Sequence, residues 1–341
     1  MTGTRRAGKV KSGIGGEARS VRPKAVITCL SDCKRGEPLT TTRHYGMLPL
    51  ANTELVKHQL AALSGFAVTA LVREMHSGLA ILLRQEHISV IHLEEQEKAS
   101  NALAAADLIL PGDILPLSTL PEIGLVTIAG GSDETGIVQS MLKNVRMTEI
   151  DGLRINYSWE PLDANQTLLA SIKNSIDPSV TIEEGVTIIG EVIIGKKTRI
   201  MAGSYIEGPV IIGAGCEIGP MAHIRSDTSI ADGCRIGKTE VVDCIIMRTC
   251  TSKHHAYLGH SILGEDVNIG AFTVTADYRH DGQEHKCVVC DEKVATGRKK
   301  LGAFIGDHVR TAVSTSIYPG RKLWPHSTTL PGEVVKKDEH D

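Results

Sequence analysis

The sequence predicts a two-domain chain, with a Rossmann-like α/β domain in its front half and a parallel β-helix in its back half. Strand-like and helix-like stretches alternate from residue 24 to residue 130, and isoleucine recurs at every sixth position from residue 176 to residue 236. A length of 341 residues with 41% hydrophobic content suffices for two cores. The expected segments are a disordered basic tail over 1–22, a truncated α/β domain over 23–157, a linker over 158–174, the β-helix over 175–335 and a short tail over 336–341.

The alternation in the front half predicts a parallel sheet. Apolar strand-like runs are separated by stretches with helical spacing, and this order requires crossover connections between parallel strands. The stretches are KAVITCL, TELVKHQLAAL, AVTALV, MHSGLAILLRQ, ISVIHL, SNALAAADLIL and GLVTIAG, in chain order between residues 24 and 130.

The six-residue period predicts the β-helix. It fits neither a helix of 3.6 residues per turn nor a strand with period two. If a short strand is followed by a bend of about 120°, each isoleucine returns to the interior of a triangular prism, and three hexads close one coil. Stacked coils would then pair their backbones about 4.8 Å apart and stack isoleucine on isoleucine. The phase should carry on to Val242.

The period is interrupted twice. It is lost at Arg248, within 248–256, and returns at Leu263. It is lost again over the polar segment 278–300 and resumes at Ile305. We expect both interruptions to be loops outside the prism wall, where a rigid scaffold can carry functional residues.

Composition excludes several classes of protein. A formal charge of −3 and a pI near 6.5 argue against a nucleic-acid-binding surface. No apolar run approaches the roughly 20 residues that span a bilayer, and no apolar segment follows the basic N-terminus, so neither a membrane span nor a secretory signal is expected. We therefore expect a cytoplasmic protein. The tail over 1–22 is interpreted as disordered, with an arm for an anionic partner as the alternative.

The eight cysteines are scattered, and without a secretory signal we expect reduced thiols. Only Cys287 and Cys290 have the spacing of metal ligands. A structural zinc site would require a second pair or two histidines, so this pair alone is weak evidence for a metal.

Two segments of the back half resemble a known family. Residues 254–282 read HHAYLGHSILGEDVNIGAFTVTADYRHDG, and residues 297–322 read GRKKLGAFIGDHVRTAVSTSIYPGRK. They resemble the acetyltransferase half of bifunctional sugar-1-phosphate nucleotidylyltransferase/acetyltransferases, especially the archaeal type, over residues 172–335. The resemblance implies a left-handed β-helix, acetyl-CoA as cosubstrate, a hexosamine 1-phosphate as acceptor, and a homotrimer with its sites between neighbouring prisms.

The resemblance also implies roles for individual residues. His254 would take a proton from the substrate amine, because a protonated amine cannot attack a thioester and imidazole is the base best matched to neutral pH. Tyr257 would bind or orient the substrate, and Arg225 would hold the sugar phosphate with its forked guanidinium. Further implied contacts to the substrate are Asn268, Asp277, Tyr278 and Lys286. By their positive charge, a set of basic residues could attract the phosphates of CoA: Arg298, Lys299, Lys300, Arg310, Arg321 and Lys322.

Each assignment has a simpler alternative. His254 and His255 could be solvated surface residues, Arg225 could extend from a coil edge, Tyr257 could only pack, and the basic residues after 297 could form a solvated face.

The chain also departs from the family pattern at three positions. Asp277 stands where the family has an asparagine, and Asp243 and Gln283 stand where it has lysines. Two positive charges near the expected phosphate are therefore absent, and two negative charges are added.

Residues 24–52 resemble the opening of the nucleotidylyltransferase half of the same enzymes. In the family, glycines let backbone amides approach nucleotide phosphates, whereas here Ser31 and Cys33 replace them. Arg35 and Asp113 remain as a degenerate nucleotide site, with Asp113 as the candidate Mg²⁺ ligand if that site is active. The stretch after Asp113 is much shorter than the one that builds the family's sugar pocket. The resemblance thus implies a remnant without nucleotidyl transfer, or a domain that only packs, dimerises or regulates.

The expected function is acetyl-CoA-dependent N-acetylation of a hexosamine 1-phosphate in the biosynthesis of a nucleotide sugar, UDP-N-acetylglucosamine. Two alternatives stay open at this point. One is a sugar-1-phosphate nucleotidylyltransferase, and the other is a non-catalytic assembly or regulatory homologue. The sequence does not identify the amino sugar or the acyl donor.

Overall fold

The computed structural model describes residues 22–30, 34–41, 43–121, 124–127, 138–139, 141–142 and 146–338. The predicted basic tail up to residue 21, the replaced glycine positions Ser31 and Cys33, and residues 339–341 lie outside the described residues.

The front half forms the predicted parallel sheet. Its strand order is β5-β4-β1-β6-β8-β9, and every neighbouring pair is parallel. In chain order this is 3-2-1-4-5-6, the order of a Rossmann fold. The strands are β1 (Lys24–Cys29), β4 (Ala67–Val72), β5 (Ser89–His92), β6 (Leu108–Pro111), β8 (Gly124–Thr127) and β9 (Met147–Glu149), and the helices are α1 (Leu55–Ala62), α2 (Ser77–Gln85) and α3 (Gln96–Ala104).

Two small antiparallel pairs complete this half. They join β2 (Pro49–Leu50) to β3 (Thr53–Glu54), and β7 (Ile114–Pro116) to β10 (Gly152–Arg154). Helix α4 (Glu160–Leu169) then leads into the back half. The Glu160 carboxylate accepts hydrogen bonds from the backbone N–H groups of Asn156 and Tyr157 at 2.6 and 2.9 Å, which fixes the start of α4.

The back half is a left-handed parallel β-helix with three walls. The first wall contains β11 (Ser175–Ile176), β14 (Val192–Ile194), β17 (Val210–Ile212), β20 (Thr228–Ile230), β22 (Ile245–Ile246), β24 (Ile262–Leu263), β29 (Phe304–Ile305) and β31 (Lys322–Leu323). The second contains β12 (Thr181–Ile182), β15 (Arg199–Ile200), β18 (Glu217–Ile218), the first part of β21 (Arg235–Val242), the first part of β23 (Thr251–Gly259) and β25 (Asn268–Ile269). The third contains β13 (Thr187–Ile189), β16 (Tyr205–Glu207), β19 (His223–Ile224), the remainders of β21 and β23, β26 (Val274–Thr275), β30 (Ser316–Ile317) and β32 (Val334–Val335).

The predicted isoleucines form the axis of the prism. Those from Ile194 to Ile236 are at most 1% exposed, and each pairs with its counterpart one coil away, as Ile200 does with Ile218. Ile176 and Ile182 in the first coil are 44% and 43% exposed, because the described chain places no coil beneath them.

Two details of the predicted prism were wrong. Residues 248–256 do not leave the wall as a loop: most of them belong to β23, and the coil is closed with fewer residues. The pairing of β21 with β23 shifts between Lys238 and Glu240, so that Val241, rather than the predicted Val242, is buried on the axis. The second interruption, 278–300, does leave the wall. It contains a hairpin of β27 (Lys286–Val289) and β28 (Glu292–Ala295), and we refer to it as the excursion.

The two halves share a hydrophobic core. On the first wall, Ile245, Ile262 and Phe304 point away from the axis and are at most 1% exposed, because they pack against residues of the α/β half, including Leu50 and Trp159. Arg43 adds ion pairs across this contact, to Asp307 and to Glu265. No helix within the described part of the chain is long and apolar enough to cross a membrane.

Candidate active site

Strand β23 carries the predicted base. His254 lies opposite Lys238 in the pairing of β23 with β21, and its side chain is exposed. It lines a groove of about 450 Å³ together with Lys238, Arg235 and Pro220. The neighbouring His255 also lines this groove, and its ring stacks on Phe272, with 5.5 Å between ring centroids. The base candidate is therefore held on a hydrogen-bonded strand rather than on the expected loop.

A chain of polar contacts begins three residues later, at Tyr257. The Tyr257 hydroxyl donates a hydrogen bond to Oδ2 of Asp277 at 2.9 Å. The same oxygen lies 3.3 Å from Nε2 of His260, and Nδ1 of His260 lies 2.8 Å from Oδ2 of Asp243. We call these four residues the carboxylate–histidine chain. It unites the predicted Tyr257 and Asp277 with the substituted position Asp243.

The carboxylate–histidine chain is shielded from solvent. The side chains of Asp243, His260 and Asp277 are 4%, 12% and 14% exposed. Burial, together with the hydrogen bond to Asp277, raises the pKa of Tyr257, so its phenol stays protonated at neutral pH. Charges within the carboxylate–histidine chain interact strongly because little water screens them.

Sequence reasoning missed His260. Asp227, Asp243 and His260 occupy the same corner of three successive coils, each with a positive φ of 63°, 47° and 48°. Asp227 and Asp243 are 16 residues apart, and Asp243 and His260 are 17 apart, which are the lengths of the shortened coils. This spacing was the signal that could have identified the histidine.

Arg298 extends the carboxylate–histidine chain. Its guanidinium donates to Asp243 and to Asp163 on α4, and its side chain is 12% exposed. These contacts bridge the excursion, the prism and α4, and the role of Arg298 at the phosphates of CoA stays a prediction. Burial is the main reason that the pKa of Asp163 is raised, although Arg298 opposes the shift.

Arg225 and Asn268 lie on different walls. Nη1 of Arg225 donates to Oε1 of Glu240 at 2.9 Å, and Nε of Arg225 lies 3.7 Å from Glu207. Asn268 is exposed on β25 and forms a backbone bridge to Arg310. Arg225, the expected phosphate ligand, is thus already paired with carboxylates of its own wall.

A second groove, of about 1110 Å³, lies between the excursion and the last coils. It brings together the predicted Tyr278, Lys286 and Arg321. We call it the basic groove, because its lining also includes Arg279, Lys293 and Lys336, against the acidic Asp281 and Glu284.

The other predicted cations have varied surroundings. Lys299 and Lys300 are exposed, and Arg310 donates to Asp266. Lys322 is 3% exposed and donates from Nζ to the carbonyl of Val288 at 2.9 Å. Burial lowers the pKa of Lys322, and its position beneath the hairpin does not fit the expected contact with CoA.

The two residues predicted for the degenerate nucleotide site lie in different surroundings. Asp113 is completely buried, and its carbonyl accepts a hydrogen bond from Ile155. Arg35 is exposed, with its guanidinium 5.7 Å from the centre of the Tyr157 ring. Over the described residues, no group of three or more His, Cys, Asp or Glu side chains could hold a metal ion. The role of Asp113 as a Mg²⁺ ligand stays a prediction.

The two cysteines of the excursion, Cys287 and Cys290, lie in different surroundings. Cys287 is buried against the prism, with Sγ 3.6 Å from the carbonyl of Gly320, whereas Cys290 is exposed in the hairpin turn. The seven described cysteines are free thiols, as expected.

Comparison with known proteins agrees with this architecture. A family profile described as the GMPPB C-terminal domain matches residues 206–328. A bifunctional sugar-1-phosphate nucleotidylyltransferase/acetyltransferase of Sulfurisphaera tokodaii is 36% identical over 266 residues, which are 76% of this chain and 65% of that protein. The bifunctional protein GlmU of Methanococcus aeolicus is 32% identical over 276 residues, covering 77% of this chain and 65% of that protein.

A shorter relative matches about half of the chain. The uncharacterized acetyltransferase YaiX of Escherichia coli is 36% identical over 169 residues, which are 48% of this chain and 74% of that protein. The chain thus spans about 65% of the length of the bifunctional relatives and most of this single acetyltransferase.

Proposed function

Because the chain belongs to the family of bifunctional sugar-1-phosphate nucleotidylyltransferase/acetyltransferases, we propose that it transfers an acetyl group from acetyl-CoA to the amine of an amino sugar in nucleotide-sugar biosynthesis. The name of the Sulfurisphaera tokodaii relative includes a sugar 1-phosphate, and N-acetylation requires an amine, so a hexosamine 1-phosphate is the first acceptor to test. The observation that carries the proposal is the exposed imidazole of His254, held on β23 at the edge of a groove.

In the proposed reaction the amine nitrogen attacks the thioester carbonyl. His254 accepts the proton that the amine loses, the C–S bond of acetyl-CoA breaks, and the proton passes to the thiolate of CoA. Backbone N–H groups near the groove would stabilise the oxyanion. The basic groove supports the proposal, since its cations suit the phosphates of CoA or of a phosphorylated sugar.

A homotrimer is part of the proposal. One corner of the prism exposes large apolar side chains, among them Met221, Phe272, Val313 and Leu330, which are 54%, 58%, 50% and 73% exposed. Apolar side chains in such a row suit burial against another copy of the same prism. A cytoplasmic location is also proposed, because acetyl-CoA is made and used there.

The test is release of free thiol from acetyl-CoA in the presence of hexosamine 1-phosphate. We expect His254→Ala to lower kcat by about 10²- to 10⁴-fold, the range for loss of a general base. His255→Ala is the comparison, because His255 lines the same groove and stacks on Phe272. A smaller loss of kcat than in His254→Ala would assign the proton transfer to His254. Equal rates for the wild type and His254→Ala would exclude the role of His254 as the base.

Nucleotidyl transfer is not proposed, because the loop that resembles the family's nucleotide site has Ser31 and Cys33 in place of glycines. Pyrophosphate release from UTP and a sugar phosphate would contradict this. The absence of thiol release with every amino sugar would instead favour a non-catalytic assembly or regulatory homologue.

A further inference from the structure

The carboxylate–histidine chain fixes the direction of the hydrogen bond made by Tyr257. A carboxylate can only accept hydrogen bonds, so the phenol must donate its single proton to Asp277, 2.9 Å away. The phenolic oxygen then has only lone pairs to offer to a substrate. A group bound there must donate a hydrogen bond, as a hydroxyl or an ammonium does and as the oxygens of an ionised phosphate ester do not.

His260 holds Asp277 in this role. Its imidazole stands between two carboxylates, with Nδ1 2.8 Å from Asp243 and Nε2 3.3 Å from Asp277. The Nδ1 contact with Asp243 has the geometry of a hydrogen bond, whereas Nε2 lies beside Asp277 without forming one. The ring therefore packs against the carboxylate that accepts the Tyr257 proton. His260 is thus a positioning residue that acts through Asp277.

The surrounding charges also disfavour an anion. Burial raises the pKa of both Asp163 and Asp227. The nearby carboxylate of Asp243 raises each pKa further, by a smaller amount. Against these three carboxylates and Asp277 stands the guanidinium of Arg298, which is bound to Asp163 and Asp243. Arg225 is paired with Glu240 and Glu207, so its charge is already compensated.

We propose that the subsite at Tyr257 receives a hydroxyl or ammonium group of the acceptor and excludes phosphate, so that this chain prefers an unphosphorylated amino sugar to its 1-phosphate. The proposal rests on the proposed acetyl transfer and narrows its substrate class. It also gives a physical role to the two aspartates, Asp243 and Asp277, that replace a lysine and an asparagine of the family pattern.

The experiment compares kcat/KM for hexosamine and for hexosamine 1-phosphate, measured as thiol release from acetyl-CoA with the full chain. We expect the wild type to favour the unphosphorylated sugar. Asp277→Asn introduces an amide that can donate a hydrogen bond to the Tyr257 oxygen, which frees the phenol proton to bind a phosphate. The ratio of the two kcat/KM values should then shift toward the 1-phosphate by about tenfold, which is the scale of one hydrogen bond. Tyr257→Phe, which removes the hydroxyl altogether, should reduce the preference and leave the fold intact.

Asp177→Asn is the matched control, because Asp177 lies in the exposed first coil and accepts hydrogen bonds from Ser179. The ratio of the two kcat/KM values for this variant should equal that of the wild type. A wild-type preference for the 1-phosphate that Asp277→Asn leaves unchanged would overturn the inference. If neither sugar is acetylated, the proposed function fails. In that case, calorimetry measures how tightly each of the two sugars binds to the chain. Tighter binding of the unphosphorylated sugar would support the inference, and any other result would overturn it.

Discussion

Replacing Ile218 with alanine tests whether the stacked isoleucines hold the prism together. Ile218 is 0% exposed and lies between Ile200 and Ile236 in the ladder of the second wall. The substitution removes three carbon atoms, so the transfer free energy alone is about 2.4 kcal/mol at ~0.8 kcal/mol per methylene. Paired coils above and below cannot collapse into the space, and the cavity should bring the total to about 3–4 kcal/mol.

Ile182→Ala is the matched comparison. Ile182 occupies the same wall in the first coil but is 43% exposed, and no closed cavity forms there, so we expect a loss of about 1 kcal/mol. The free energy of unfolding is measured by guanidinium chloride titration followed by far-UV circular dichroism, with the midpoints compared at a common slope. Equal losses for the two variants would refute the idea that stability comes from a continuous buried axis.

Two further predictions concern the charges around the carboxylate–histidine chain. Arg298→Met leaves the buried Asp243 with His260 as its remaining partner and should lower the free energy of unfolding by about 3 kcal/mol. Arg279→Met, which breaks an exposed pair with Asp281, should lower it by less than about 1 kcal/mol. Similar urea midpoints for the two variants would contradict this expectation. Asp227→Asn should raise stability at neutral pH, because burial and then the Asp243 carboxylate raise the pKa of Asp227, so that the folded chain loses stability as the pH rises above 3.8. This gain should shrink as the pH is lowered toward 3.8 in a series of thermal melts, and a gain independent of pH would point to another cause.

Part of the candidate site could be predicted from a short motif. The resemblance at H-x-x-Y predicted roles for His254 and Tyr257, and the structure places both residues on β23. The same motif did not reveal that they face different surroundings, His254 in a groove with Lys238 and Tyr257 against Asp277. A β-strand directs neighbouring side chains to different faces, and a corner turns them further, so spacing along the chain does not give distance in space.

The sequence by itself determined the prism and the parallel sheet, because both follow from periods that are local. An isoleucine every six residues can be buried only if the chain turns at each corner, and alternating strand and helix patterns lead to parallel pairing. Tertiary structure alone decided the partners of Arg298, which reaches Asp163 from 135 residues away, and the bracketing of His260 by two carboxylates. Those contacts depend on how an excursion, a shortened coil and a linker helix come together, and no local pattern encodes that arrangement.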